Sequence, residues 1–321
     1  MRSARQLDHL HRGGSGPFLR LLKPLSVGLC LWAFAFGGEA RGQEGQAFRD
    51  QAEVTTVLVP VTVRDSKGRL VAHLEKEAFR FFVDGMEFPI TSFWREGGLP
   101  IAYVFVVDTS GSMNGRRLAQ VRAAIGEFLA ALKPGDEVSL ITFGAGEVHR
   151  RLRLGADPAA LPPLLDRLSG YGTTALYDVL SVAPRFFEGA RALRRAALLF
   201  TDGVDTASQL TAEGALMTLE NLQDPLYVFG IEPPPGQTEE GLTYEQVLAR
   251  FAQATGGRYL RVDKLEALRA QAAELRTELS QRYIIAFTPS GVGEVKWRKI
   301  AVRVKGPYTV VTREGYRGTL P

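Results

Sequence analysis

The stretch Ile101-Ala102-Tyr103-Val104-Phe105-Val106-Val107-Asp108-Thr109-Ser110-Gly111-Ser112 decides how the whole chain is read. Ile101 to Val107 is apolar without a break. A strand with one wet face alternates polar and apolar residues, so an unbroken run predicts a strand buried on both faces. The run stops at a carboxylate and opens into a turn of small hydroxylated residues. Gly111 is expected to let that turn close sharply, so that Ser110 and Ser112 face the same point.

Outward from this stretch the periodicity alternates. Leu118, Val121, Ile125, Phe128, Leu129 and Leu132 fall on one helical stripe. Val138 to Phe143 reads as a strand, 158–168 and 175–187 as helices, and Ala196 to Phe200 as another buried strand. A helix over 212–222, a strand over 226–231, a helix over 244–255 and a strand over 258–262 complete the series. Such alternation predicts an α/β fold: a doubly wound, mostly parallel sheet with helices on both faces. Sheets of this kind carry their sites at the carboxyl ends of the strands.

Three polar groups fall at such ends. Asp108, Ser110 and Ser112 follow the first buried strand. Asp202, in Thr201-Asp202-Gly203, follows the strand ending at Phe200. Gly172-Thr173-Thr174 lies between them, just before a helix. The donors are two carboxylates and several hydroxyls, all hard oxygens. A hard divalent cation, Mg²⁺ or Mn²⁺ ahead of Ca²⁺, suits that set in octahedral geometry.

On these residues the chain resembles the von Willebrand factor A (VWA) domain, Rossmann-like in fold, across about residues 99–262. The matching pieces are Asp108, Ser110 and Ser112 of an Asp-x-Ser-x-Ser motif, Thr174 of the second loop, and Asp202 of an apolar-Thr-Asp-Gly motif. The resemblance implies a metal-ion-dependent adhesion site. Ser110, Ser112 and Thr174 would bind the metal directly, and Asp108 and Asp202 would act mostly through water. Thr173 is the rival of Thr174, which is preferred for its place four residues before Asp178. The function implied is protein binding, with a partner's Asp or Glu carboxylate completing the metal's coordination, and not catalysis.

The flanks resemble a narrower bacterial, largely acidobacterial, VWFA-related family. The features are Phe81-Phe82-Val83-Asp84-Gly85, Thr174-Ala175-Leu176-Tyr177-Asp178 and Arg313-Glu314-Gly315-Tyr316. Val57, Val59, Val61 and Val63 alternate with period two. Phe79 to Phe88 reads as a hairpin turning on Asp84-Gly85. The C-terminal part holds a helix over 265–279 and strands over 283–287, 297–304 and 308–312. It buries too little alone and is expected to complete a β-sandwich with the N-terminal strands.

The first 42 residues read as an export signal. Arg2, Arg5, Arg12, Arg20 and Lys23 precede the apolar run Leu25 to Phe36, and Ala40-Arg41-Gly42 offers small residues at the cleavage positions. The expected organisation is therefore a signal peptide over 1–42, a β segment over 43–98, the VWA domain over 99–262, and a helix plus β segment over 263–321. After cleavage no membrane span is expected, and the protein would be periplasmic, at the cell surface or secreted.

Composition narrows the alternatives. The formal charge of +4 lies wholly in residues 1–42, and the rest is neutral, which speaks against nucleic-acid binding. One cysteine, Cys30, and four histidines exclude a cysteine-rich zinc site and leave little for a histidine-based one. A Mg²⁺-dependent hydrolase or phosphatase using Asp108 as nucleophile is the catalytic alternative, but Ser110 stands where such enzymes carry a second aspartate. A serine hydrolase lacks its Gly-x-Ser-x-Gly elbow. A metal-free scaffold is the other alternative. Asp178 and Asp205 read as capping or solvated residues, His73 and His149 as structural or exposed ones. The Lys/Arg-rich tail over 282–321 reads as a solvated sheet face.

Overall fold

The computed structural model describes residues 56–321 apart from Glu96, Gly98, Glu239 and Glu240. The expected signal over 1–42 lies outside the described residues. Residues 51–321 form one compact unit.

In chain order, the N-terminal strands are β1 (Val57–Arg64), β2 (Phe79–Val83), β3 (Met86–Phe88) and β4 (Ser92–Arg95). The α/β region follows: β5 (Ile101–Asp108), α1 (Arg116–Leu129), β6 (Glu137–Gly144), β7 (Glu147–Leu152), α2 (Leu161–Asp166), α3 (Leu176–Ser181), β8 (Arg194–Thr201), α4 (Ala212–Glu220), β9 (Leu226–Ile231), α5 (Tyr244–Ala254) and β10 (Tyr259–Val262). The chain ends with α6 (Ala267–Leu279), β11 (Tyr283–Phe287), β12 (Lys296–Val304), β13 (Thr309–Thr312) and β14 (Gly315–Gly318).

The central sheet has the order β10-β9-β8-β5-β6-β7. All its pairings are parallel except β6 with β7. The unbroken apolar run does bury both faces. Ile101, Tyr103, Phe105 and Val107 join the core under α1, α2 and α6, while Ala102, Val104 and Val106 join the core under α3, α4 and α5. Fully burying one such large apolar side chain contributes about 1.5–3 kcal/mol, so β5 anchors both layers. Chain order places β6 on one side of β5 and β8 on the other. That reversal opens a crevice at the carboxyl end of β5.

The terminal strands form two antiparallel four-stranded sheets, β13-β1-β11-β4 and β14-β12-β2-β3. They share one core, in which Val57, Val59, Val61 and Val63 meet Phe81, Val83, Ile300 and Val302. This is the expected sandwich. Asp84 and Gly85 turn the β2–β3 hairpin with φ of 50° and 82°, the positive angles such a turn demands.

Two helices are shorter than their periodicity predicts. The 175–187 stretch is α3 up to Ser181 and then a 3₁₀ turn over Ala183–Arg185, because Pro184 cannot donate to the α ladder. The 158–168 stretch splits in the same way into a 3₁₀ turn and α2, with Pro158, Pro162 and Pro163 at its start. Among the described residues no helix is long and apolar enough to cross a membrane.

Candidate metal centre

β5 delivers Asp108 to the crevice, and β8 delivers Thr201 and Asp202 beside it. Asp108 is fully buried. One of its oxygens accepts the Ser110 N–H at 2.8 Å and the other accepts the Thr201 hydroxyl at 2.7 Å. Burial pushes its carboxyl up to about 6, against the pull of those hydrogen bonds, and the neighbouring Asp202 charge adds to the rise. Its role is thus to lock the turn from beneath.

The hydrogen bond to Ser110 turns the chain over into a 3₁₀ turn at Gly111–Met113. The Ser110 and Ser112 hydroxyl oxygens come to 3.2 Å from one another. Ser110 is buried and Ser112 is exposed. Together with Thr173, Thr174 and Asp202 they line one cavity of about 450 Å³. Of the five residues expected to serve a metal, four therefore share a cavity, and Asp108 sits behind it. Thr173 is exposed and Thr174 buried, and both reach this cavity.

The sharp turn does not rest on Gly111, whose φ is not positive and where a Cβ would meet Gly172 O only at an ordinary 3.5 Å. It rests on the neighbouring loop. Gly172 has φ of 71°, and a Cβ there would lie 2.6 Å from the Ala145 Cβ. A Cβ on Gly170 would lie 2.5 Å from the Ser110 carbonyl oxygen. These approaches let Gly111 N–H donate to Gly172 O at 3.1 Å and Tyr171 N–H donate to Thr109 O at 2.9 Å. The two loops thus hold each other in register.

Thr174 is fixed through its backbone. Its N–H donates to the Thr206 hydroxyl at 2.8 Å, and its carbonyl accepts from Thr206 and Ala207 N–H groups at 2.9 Å. Asp205 accepts the Leu176 N–H at 2.8 Å, and Asp178 accepts the Gln209 and Leu210 N–H groups. Asp205 thus caps the start of α3, while Asp178 holds the loop that leads into α4. His149 is half-buried and pairs with Glu147.

Sequence reasoning missed Arg117. Its Nη1 donates to Asp202 Oδ2 at 3.2 Å and to Ser112 O at 3.1 Å, while its Nε donates to Glu232 Oε2 at 3.1 Å. Nothing in the pair Arg116-Arg117 marks the second as special. Glu232 was more legible, since it directly follows β9 at the same end of the sheet.

Among the described residues no group of three or more His, Cys, Asp or Glu side chains could hold a metal. A cation here would need hydroxyl donors, which is what Ser110, Ser112 and Thr174 offer. The donor chemistry fits a hard divalent ion: neutral hydroxyls and the Asp202 carboxylate line the cavity, and the Asp108 carboxylate is buried behind it. The phosphoryl-acceptor reading needs Asp108 facing a substrate, but that carboxylate is 0 % exposed and both its oxygens are bonded inward.

Residues 103–204 match the model of the von Willebrand factor type A domain, a span that includes Asp108, Ser110, Ser112, Thr174 and Asp202. The inter-alpha-trypsin inhibitor heavy chain H4 of Sus scrofa is 32% identical over 95 residues, 29% of this chain and 10% of that protein. Heavy chain H1 of Mesocricetus auratus is 45% identical over 42 residues, 13% of this chain and 5% of that protein. The chain thus spans a tenth or less of the curated relatives it matches. A solved von Willebrand factor type A structure from Catenulispora acidiphila superposes with a TM-score of 0.48 at 15% identity, covering 84% of this chain and 75% of that one. The chain carries a von Willebrand factor type A domain.

Proposed function

We propose that this protein is an exported binding module whose VWA domain takes a divalent cation, Mg²⁺ or Mn²⁺, and through it a carboxylate from a partner protein. One observation carries this reading: the Ser110 and Ser112 hydroxyls lie 3.2 Å apart on a cavity they share with Thr174 and Asp202. The three hydroxyls are the donors, Asp202 supplies negative charge at the cavity wall, and Asp108 supplies it from behind. Bound there, the cation supplies a Lewis-acidic position for an incoming Asp or Glu side chain, since neutral donors leave its charge only partly offset.

The chain's own residues do the rest. Thr201 and the Ser110 N–H hold Asp108 inward, so its charge is spent on the cavity floor. Gly170 and Gly172 bring the threonine loop against the serine turn. A rigid edge of this kind favours recognition of a protruding acidic side chain over turnover. Export rests on the leader in residues 1–42, and a position in the periplasm, at the cell surface or outside the cell follows from it.

The test is thermal unfolding with Mg²⁺, with Mn²⁺ and with chelator, for the wild type and for Asp108→Ala. A ligand that binds only the folded state at a hundredfold excess over its Kd stabilises by about 2.7 kcal/mol. For a domain of this size that is a rise of about 5–10 °C in Tm. The rise is expected in the wild type and absent in Asp108→Ala. Equal melting of wild-type protein in metal and in chelator would refute the reading.

A further inference from the structure

The carboxylate expected to serve the cation is already engaged. Asp202 is 2 % exposed, its Oδ1 accepts the Val204 N–H at 3.3 Å, and its Oδ2 accepts Arg117 at 3.2 Å. The guanidinium also lines the cavity itself. An arginine stays charged at any pH the protein meets. A fixed positive charge therefore stands where a divalent cation would share the same carboxylate, and like charges at such range oppose one another.

Arg117 has a second anchor. Its Nε meets Glu232 while its Nη1 meets Asp202 and Ser112 O. Glu232 is a non-glycine residue at φ of 44°, held by its own N–H donating to Val262 O at 2.8 Å. That backbone is uncommon for a glutamate and aims its carboxylate from the end of β9 towards the guanidinium. The fork thus joins the β5, β8 and β9 ends at once.

We infer that Arg117 is a tethered cation that competes with the divalent ion for Asp202, and that Glu232 is the counter-ion that holds the guanidinium once Asp202 is released. The inference rests on the metal-binding reading above. It assigns the two residues opposite effects on metal affinity. Removing Arg117 frees Asp202 and strengthens binding. Removing Glu232 leaves Arg117 with Asp202 as its only carboxylate partner among the described residues and weakens binding. Glu232 has no effect once Arg117 is gone.

The experiment is calorimetric titration with Mn²⁺ alone of the wild type, Arg117→Gln, Glu232→Gln, the double variant and Arg117→Lys, each checked for folding by circular dichroism in chelator. Arg117→Gln is expected to bind about tenfold more tightly, the order set by removing one like charge beside the site. Glu232→Gln binds more weakly than wild type, and the double variant matches Arg117→Gln. Arg117→Lys folds with its charge in place and stays close to wild type. Wild-type binding with equal or weaker binding in Arg117→Gln overturns the inference and leaves the metal site standing. A Glu232→Gln effect that persists in the double variant also overturns it, because Glu232 would then act on the metal directly. Folded proteins that all fail to bind Mn²⁺ overturn the metal reading and this one with it.

Discussion

The two ends of the central sheet solve opposite electrostatic problems. At the amino end the buried charges are mostly arginines satisfied largely by fixed backbone carbonyls, and the buried carboxylate there, Glu137 at the start of β6, is held by the N–H groups of Arg191 and Ala192. Arg194 donates to Leu99 O at 2.7 Å and also to Leu279 O. Arg313, 1 % exposed, donates to Gly315 O at 2.6 Å and to Leu222 O at 3.2 Å. Arg282 reaches the Tyr227 hydroxyl. At the carboxyl end the buried charges are Asp108 and Asp202, and their partners are the backbone N–H groups of Ser110 and Val204, the Thr201 hydroxyl and one movable guanidinium. Carbonyls of fixed loops cannot leave a cation, so the amino end is mortar. Hydroxyls rotate and a guanidinium on a long stem can swing, so the carboxyl end can change partners.

The mortar joins the sandwich to the α/β layer. Arg313 follows β13 yet bonds the carbonyls that precede β9. Burial lowers its guanidinium to about 10, which still leaves it charged at neutral pH, and nearby Asp224 opposes that lowering. Glu278 on α6, 2 % exposed, is clasped by Arg64 of β1 at 2.7 Å and by Arg258 at 2.9 Å, with the Thr62 hydroxyl at 3.3 Å. If the amino end is structural, Arg313→Ala carries the largest stability loss. It strands several buried carbonyls and opens a cavity, for a cost of about 3–5 kcal/mol by urea unfolding. A loss under about 0.5 kcal/mol, within the range of ordinary surface changes, would break the comparison at that end.

The carboxyl end should give a smaller stability loss and a larger functional one. Gly172→Ala forces a side chain into a left-handed position against Ala145. The expected cost is about 1–3 kcal/mol. It also pushes the threonine loop off the serine turn, since Gly111 N–H bonds Gly172 O. Thermal scans in chelator read the first effect, and the lost response to Mg²⁺ reads the second. A variant that melts lower but keeps its full Mg²⁺ response would show that the two loops need not be in register.

What the sequence revealed follows the strength of burial. The β5 run reads correctly because both faces are dry, and α1 reads correctly because Leu118, Val121, Ile125 and Phe128 are all buried on one stripe. Strands with a wet face and few apolar residues escaped. β7 has the burial of an edge strand, with Val148 exposed, and nothing but pairing to β6 makes it a strand. β4 and β14 are short and depend on β11 and β12 for their hydrogen bonds. At the site, Asp108, Ser110, Ser112 and Asp202 were legible because they close or follow buried strands, and Thr174 because it stands just before a helix. Arg117 was not, because its role comes from where Asp202 and Glu232 arrive, and both are distant in sequence. The glycine that matters was also misplaced: the strained positions are in the second loop, where the neighbour across the gap, and not the local motif, sets the demand.

Ser112→Ala should separate the two roles most cleanly, because its effect on stability is the smallest of the set. Ser112 is exposed, and among the described residues its hydroxyl bonds only Ser110. Its carbonyl, which Arg117 uses, is untouched by the substitution. In chelator the variant should therefore match wild type within about 0.5 kcal/mol, the range of ordinary surface changes. In Mg²⁺ it should lose the stabilisation that wild type gains, because one of the three hydroxyl donors is gone. Arg313→Ala should do the reverse, melting far lower yet gaining from Mg²⁺ as much as wild type does. If both variants keep the metal response, the hydroxyl pair at the carboxyl end is as structural as the arginines at the amino end, and the contrast between the two ends fails.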